Sequence, residues 1–328
     1  VPELLRREEY ETQAPQLPIG DKQVEIGKYA AFITEEEHMI ISQIPNMPDN
    51  FEVVFFGDNQ HGNIAEAEDK YLECIKYITQ NEHVYGVHMG DICDAFWVDD
   101  KRYDPTTCKS PPLEQMKHEI EILTDCVKTK RLLSILEGNH EHALQNKVGN
   151  FTNTLCEWLR LASGCQYPIA GTFTNKLELM TEKGTPMFKV YCTHGRKSIT
   201  SISPDPHRKK AYLQFRLKRI LEDMAGDCIV MVRGHSHIVL TTPPIPTLFL
   251  TSERGKIKQH YTKAGIGKTA EYIPSEHRFF GCSGSFLKSQ ELGVSTYSEL
   301  AEYPPTEIGY LKLIVKDREP VELQEVKV

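Results

Sequence analysis

Four short polar clusters punctuate this chain: GDNQH at Gly57–His61, GDICD at Gly90–Asp94, GNHE at Gly138–Glu141 and GHSH at Gly234–His237. The dipeptide His194-Gly195 sits between the last two. Each follows an apolar, β-branched run, so Asp, Asn and His side chains are offered at the ends of five strands. Aspartate supplies hard oxygen, neutral imidazole supplies nitrogen, and an amide supplies a carbonyl oxygen. That mixture suits Mn²⁺, Fe or Zn²⁺ better than Ca²⁺ or a thiolate site. The neighbouring glycines allow tight turns and close backbone approach.

Taken singly, each cluster has a plainer reading. Gly-Asp after a strand is commonly only a turn, Asn and His are frequent in left-handed turns, and a lone histidine such as His194 is usually a surface or core residue. Their order and their shared strand-end context point to a metal centre. In GHSH, His235 and His237 are two residues apart, and if strand geometry continues through them both imidazoles face one side. Asp58 and Gln60 stand in the same relation.

Regular elements are needed to hold these residues. FEVVFF runs into Gly57-Asp58, HVYGVHM into Gly90-Asp91, RLLSILE into Gly138-Asn139-His140, and CIVMVR into Gly234-His235. Between them, Asn63–Gln80 carries apolar residues at helical spacing, Ser110-Pro111-Pro112 opens a second helix, and Phe151–Ala162 forms a third that stops at Gly164. Ile169–Met180 and Pro186–Thr193 read as strands. Asp205-Pro206 is an N-cap and first-turn pair for a helix running to about Ala225. GYLKLIV at Gly309–Val315 closes the strand-rich end. Alternating strands and helices predict a mostly parallel sheet covered by helices, and the later strands predict a second sheet packed on the first. Polar residues at the C-terminal ends of such strands mark where open α/β sheets bind ligands. In residues 1–50, Lys28–Thr34 and His38–Ile44 read as short strands, and the Pro-rich Ile44–Asn50 as a linker.

Composition narrows the class. The 328 residues are 40% hydrophobic and 26% charged, close to globular averages, and no apolar run is long enough to span a bilayer. The acidic start VPELLRREEYE has no signal-peptide character and no Met, so the chain is expected to be a trimmed piece of something longer. Nine scattered cysteines without a Cys-x-x-Cys pair read as reduced, buried thiols in a cytoplasmic protein. A net charge of −8 argues against a generally basic, nucleic-acid-coating surface, though not against a local basic groove.

The ordered clusters resemble the calcineurin-like metallophosphoesterase superfamily, whose motifs read D-x-H, G-D-x-x-D, G-N-H-[DE], H and G-H-x-H. The resemblance spans Phe51 to His237. It implies an α/β fold, a four-layer α-β-β-α sandwich of two mixed sheets flanked by helices. The phosphoesterase domain would occupy residues 51–318, after an N-terminal extension (1–50) and before a short tail (319–328). It further implies a phosphoester substrate and two divalent metal ions, Mn²⁺ first, with Fe, Zn²⁺ and Ni²⁺ as alternatives. One ion would be held by Asp58, Gln60, Asp91 and His237, the other by Asp91, Asn139, His194 and His235, with Asp91 bridging. His140 would act as the acid near the leaving group, with Asp94 or Glu141 fixing its ring. The first motif departs from the family pattern. Without a gap Gln60 takes the ligand position; with a one-residue bulge His61 does.

The segment after His194 bears on substrate. Arg196 and Lys197 are placed to touch a bound phosphate. His207–Leu221 contains no acidic residue. Its Arg208, Lys209, Lys210, Arg216, Lys218 and Arg219 form either a solvated face or an edge that tracks nucleic-acid phosphates. The leading expectation is a phosphodiesterase or nuclease acting on DNA or a nucleotide. A phosphomonoesterase, and a non-catalytic scaffold of the same fold, are the alternatives.

Overall fold

A computed structural model describes residues 24–26, 29–34 and 37–328, with side chains from Ser42 onward. The opening segment VPELLRREEYE and Lys28 lie outside the described residues. Along the chain come β1 (Val24–Ile26), β2 (Tyr29–Thr34), β3 (Glu37–Met47), β4 (Phe51–Phe56), α1 (Glu68–Gln80), β5 (Val84–His88), α2 (Pro112–Lys128) and β6 (Leu132–Ile135). Short helices α3 (Asn139–Ala143) and α4 (Gln145–Val148) precede α5 (Phe151–Ser163), β7 (Ile169–Ala170), β8 (Thr174–Thr181) and β9 (Pro186–Thr193). Then follow α6 (Pro206–Leu221), β10 (Val230–Arg233), β11 (Val239–Thr242), β12 (Leu248–Glu253), β13 (Lys256–Tyr261), β14 (Phe279–Ser283), α7 (Tyr297–Leu300), β15 (Gly309–Lys316) and β16 (Glu319–Lys327).

Two mixed sheets carry the molecule: a six-stranded one in the order β16-β15-β4-β5-β6-β7 and an eight-stranded one in the order β1-β2-β3-β8-β9-β10-β14-β11. Strands β4 to β7 are parallel, as are β9, β10 and β14; β15 runs antiparallel to β4. The hairpin β12–β13 stands apart from both sheets.

The alternation of strand residues explains the layering. In FEVVFF, Phe51, Val53 and Phe55 face a core shared with Leu177, Val190, Val230 and Leu311, between the sheets. Val54 and Phe56 point the other way, onto Tyr71 and Ile75 of α1, Leu123 of α2 and Leu155 of α5. A strand buried on both faces needs a continuous apolar run, and β4 has one from Val53 to Phe56. On the far side, Leu213, Leu217 and Leu221 of α6 cover Tyr191, Met231 and Phe280 of the eight-stranded sheet. The order is therefore helix, sheet, sheet, helix, as the motif resemblance implies. Each fully buried Phe or Leu contributes about 1.5–3 kcal/mol to this packing.

Local departures have physical causes. α1 begins at Glu68 rather than near Asn63 because the Asn63 side-chain oxygen accepts from the Ala65 amide (2.9 Å), a turn that competes with the helix. The expected strand Ile169–Met180 is broken in two: β7 pairs with β6 of one sheet, and β8 joins β3 and β9 of the other. α6 ends at Leu221, short of Ala225. The expected linker Ile44–Asn50 is strand as far as Met47, with β3 parallel to β8. All nine cysteines are free thiols, most of them buried.

Candidate metal centre

Both sheets present the C-terminal ends of their parallel strands to one edge, where all five motifs meet. The loops after β4 and β5 are laced together: the Asp58 amide donates to the Gly90 carbonyl (3.0 Å), Gln60 to Asp91 (3.0 Å) and His61 to Ile92 (2.9 Å). The third loop approaches so closely that a β-carbon at Gly138 would lie 2.1 Å from the Asp91 amide nitrogen and Oδ1. One at Gly90, itself at φ +96°, would lie 2.8 Å from Nδ1 of His194. Only glycine fits either place.

Left-handed backbone is concentrated here. Asp58 (φ 51°), Gln60 (47°), Asp91 (49°), His235 (68°) and His237 (51°) are all non-glycine residues with positive φ. Each such residue costs on the order of 1 kcal/mol or more and persists where its surroundings impose it. GHSH therefore does not continue as a strand, and its two imidazoles do not share a side by strand alternation. They diverge: Nε2 of His237 lies 3.3 Å from Asp58 Oδ1, whereas His235 gathers with Asp91 and His194, with ligand atoms all within 4.8 Å of one another.

The hydrogen bonds around His194 define its tautomer. Nδ1 donates to the Met89 carbonyl (2.8 Å), which leaves Nε2 facing Asn139 Oδ1 (3.1 Å) and Asp91 Oδ2 (3.3 Å). In the neutral tautomer three acceptors converge there, an arrangement only a proton or a cation can satisfy. Burial opposes an imidazolium, yet the Asp91 carboxylate prevails and lifts the His194 pKa to about 9. Asp91 itself, despite its burial, is held well below the usual carboxylate range by His194 and His140. Burial and the neighbouring His194 push His235 down to about 4. Asp58 Oδ1 is buried without a hydrogen-bond donor, while Oδ2 accepts from the His235 amide (3.0 Å). The donor set and this orphaned oxygen fit a pair of divalent cations.

His140 lies beside this group. Its amide donates to Asp91 Oδ1 (2.9 Å), and its ring Nδ1 donates to the Asp94 main-chain carbonyl (2.7 Å), leaving Nε2 free on the Asp91 side, 3.8 Å from Oδ2. Burial works against protonation of the ring, but Asp91 and Asp94 outweigh it and raise its pKa. Asp94 meets the ring through its backbone oxygen, with the carboxylate 4.0 Å away. Glu141 is oriented differently: Oε1 accepts from the Cys93 amide (2.9 Å) and Oε2 from the Gly138 amide (3.0 Å). Its carboxyl, pushed up to about 7 by burial and by Asp91, ties two motif loops together.

At the first motif, His61 turns away from the group. Its Nδ1 is bonded to Glu66 (2.9 Å) and its ring stacks on His118. Gln60 is buried beside Asp58 and Asp91, its amide on the Asp91 carbonyl. Arg196 lies over the Phe173 ring, and both Arg196 and Lys197 are exposed. On α6, Lys210 pairs with Glu325 (3.5 Å), Lys218 with Glu276 (3.2 Å) and Arg219 with Glu222.

Two features went unread in the sequence. Phe96 packs on the His140 ring, and Arg102, paired to Asp100 (2.8 Å), lies over the Phe96 ring. Asn59 links Glu119 (2.9 Å) to His88 (2.9 Å) beneath the motif loops. The loop bearing Phe96 and Arg102 has no periodicity, and Asn59 is hidden inside GDNQH among stronger donors.

No family model matches this chain, and no curated protein matches it. Among solved structures, it is similar to a dimetal phosphatase from Danio rerio, with 9% identity over 84% of this chain and 98% of that chain at a TM-score of 0.36. It is also similar to the NAD nucleotidase of Haemophilus influenzae, with 11% identity over 85% of this chain and 49% of that chain at a TM-score of 0.32. The structure itself shows two mixed sheets flanked by helices, the architecture that the motif resemblance implies.

Proposed function

We propose that this chain is a metal-dependent phosphoesterase with a dinuclear centre. The observation that carries this reading is the convergence of Asp91, His194 and His235 within 4.8 Å, beside the Asp58–His237 pair and Asn139. Asp58, Gln60, Asp91 and His237 would hold one ion, and Asp91, Asn139, His194 and His235 the other. When bound, two such ions supply charge that activates a water for attack and stabilises the phosphoryl oxygens. Mn²⁺ is the ion we favour. A glutamine carbonyl is a weaker ligand than imidazole, so the first position should depend on added metal.

The chain's own groups do the rest. His140, with Nδ1 committed to the Asp94 carbonyl, carries its transferable proton on Nε2, the nitrogen that faces the reacting side. Phe96 packs against that ring, with centroids 4.8 Å apart. Glu141 holds the second and third motif loops in register through the Cys93 and Gly138 amides. Arg196 and Lys197 are free to neutralise an incoming phosphate.

The finer reading is phosphodiester hydrolysis, with DNA or a nucleotide as substrate, supported by the exposed Arg208, Lys209 and Arg216 of α6. A phosphomonoester substrate is the second reading. It is favoured by the carboxylates that already neutralise Lys210, Lys218 and Arg219 on the same helix. No described helix is long and apolar enough to cross a membrane, and the free cysteines suit a reducing, cytoplasmic setting. The test is hydrolysis of an aryl monoester, a bis-aryl diester and single-stranded DNA, each with Mn²⁺ and with chelator. Turnover of the monoester alone would remove the diester reading, and no metal-dependent turnover of any would leave a scaffold.

A further inference from the structure

Behind the first motif lies a second group of side chains able to hold a metal ion, which the phosphoesterase reading does not use. His61 leaves the motif loop, Glu68 opens α1, and His118 projects from α2; one ligand atom from each lies within 4.8 Å of the others. Nε2 of His118 is 3.1 Å from Glu68 Oε1. On its other side, the His61 ring is held by a carboxylate: Nδ1 lies 2.9 and 3.1 Å from the two oxygens of Glu66. That bond places the proton on Nδ1 and leaves Nε2 with a free lone pair. A carboxylate–histidine pair of this kind orients a metal ligand and raises its basicity.

The charge behind His61 also asks for a cation. Glu66 and Glu119 are both buried, and Glu119 Oε1 lies 3.9 Å from the same Nδ1. Tyr71 and Asn59 donate to Glu119, but both are neutral. Burial lifts the Glu119 carboxyl to about 8, so the Glu66 carboxylate against His61 is what favours a cation in this poorly solvated place.

We propose that His61, His118 and Glu68 form a third divalent-cation site, for an imidazole-preferring ion such as Zn²⁺, with Glu66 as the positioning carboxylate. Two imidazoles and one carboxylate with water in the remaining position is a ligand set that zinc accepts. None of its three residues is among those assigned to the dinuclear centre. The rings of His61 and His118 are stacked, 4.3 Å apart and 4° from parallel, so their lone pairs run side by side. Capture of an ion requires His118 to swing, and its side chain, 43% exposed, has room to do so. Glu68, also partly exposed, completes an entry path from solvent. The bound ion would fasten the first turn of α1 and the middle of α2 to the loop that carries Asp58 and Gln60.

The test is the zinc content of the full chain, stripped with chelator, reloaded with Zn²⁺ and desalted. Wild type should retain one more zinc per chain than the double variant His118→Ala, Glu68→Gln, whose replaced residues are partly exposed and leave the core intact. Glu66→Gln should weaken that extra ion by roughly 10–100-fold in a competition titration. Asp91→Asn should keep it. Equal zinc content in wild type and the double variant overturns the proposal. A wild type that holds a single zinc, lost in the double variant and kept in Asp91→Asn, sustains this site and sinks the dinuclear centre instead.

Discussion

The two sheets contribute to the candidate metal centre in different chemical currencies. Every oxygen ligand expected here follows a strand of the six-stranded sheet: Asp58 and Gln60 after β4, Asp91 after β5, Asn139 after β6. Every nitrogen ligand follows a strand of the eight-stranded sheet: His194 after β9, His235 and His237 after β10. In the oxygen half Asp58, Gln60 and Asp91 are buried, with their two loops laced by backbone hydrogen bonds, and Asn139 is partly exposed. On the nitrogen half His194 is fully buried, while His235 and His237 are partly exposed. The difference teaches that the oxygen half is a preformed cradle and the histidines close over it. Cations held between them would act as a staple across the two sheets.

The comparison is broken most severely at the residue both halves share. Asp91→Asn removes the charge that faces His194 and His140, and phosphoesterase turnover should fall to background at any Mn²⁺ concentration. Persistent activity would mean that the cradle is not the catalytic centre. His140→Ala lies off the staple; it should lower kcat by roughly 10²–10⁴-fold while metal content stays unchanged. Loss of metal in that variant would make His140 a ligand rather than an acid.

A smaller effect separates Gln60 from its neighbour. Gln60→Ala should weaken the first ion by roughly tenfold or more, and its activity should return with excess Mn²⁺. Because His61 faces Glu66, His61→Ala should leave the dinuclear pair in place, and the reverse result would bring His61 into the cradle. Next, a staple should register in stability. At a metal concentration a hundredfold above Kd, binding adds about 2.7 kcal/mol to unfolding, read as a higher Tm than in chelator. The smallest signal is a proton. The His194 pKa stands near 9 without metal, so at neutral pH its Nε2 must lose a proton before an ion can bind there. Metal affinity should therefore rise with pH towards that value. Calorimetry in buffers of different ionisation enthalpy should detect proton release, and none would mean His194 is already neutral.

Much of this was legible in the chain. The apolar runs before each Gly-Asp, Gly-Asn and Gly-His cluster correspond to β4, β5, β6 and β10, because a strand buried on both faces is predominantly apolar. The caps of α5 and α6 stand where Gly164 and Asp205 indicate, since a left-handed C-cap and an N-cap side chain are local requirements. What was not legible depended on distant contacts. Nothing near Gly171 says that the chain leaves one sheet for the other there, and Asn63 shortened α1 through a bond to its own loop. Asp94 or Glu141 was expected at the His140 ring; Glu141 bonds two backbone amides because the close approach of Gly138 to Asp91 brings those amides to it.

By itself the sequence determined the kinds of ligand, their order, and the strand ends that carry them, because these follow from residue chemistry and local periodicity. Which histidine meets which carboxylate was decided only by the tertiary structure. Left-handed turns at Asp58, Gln60, Asp91, His235 and His237 overrode strand alternation, and such turns are held in place by the packing of one loop on the next rather than by the preferences of the residues within them.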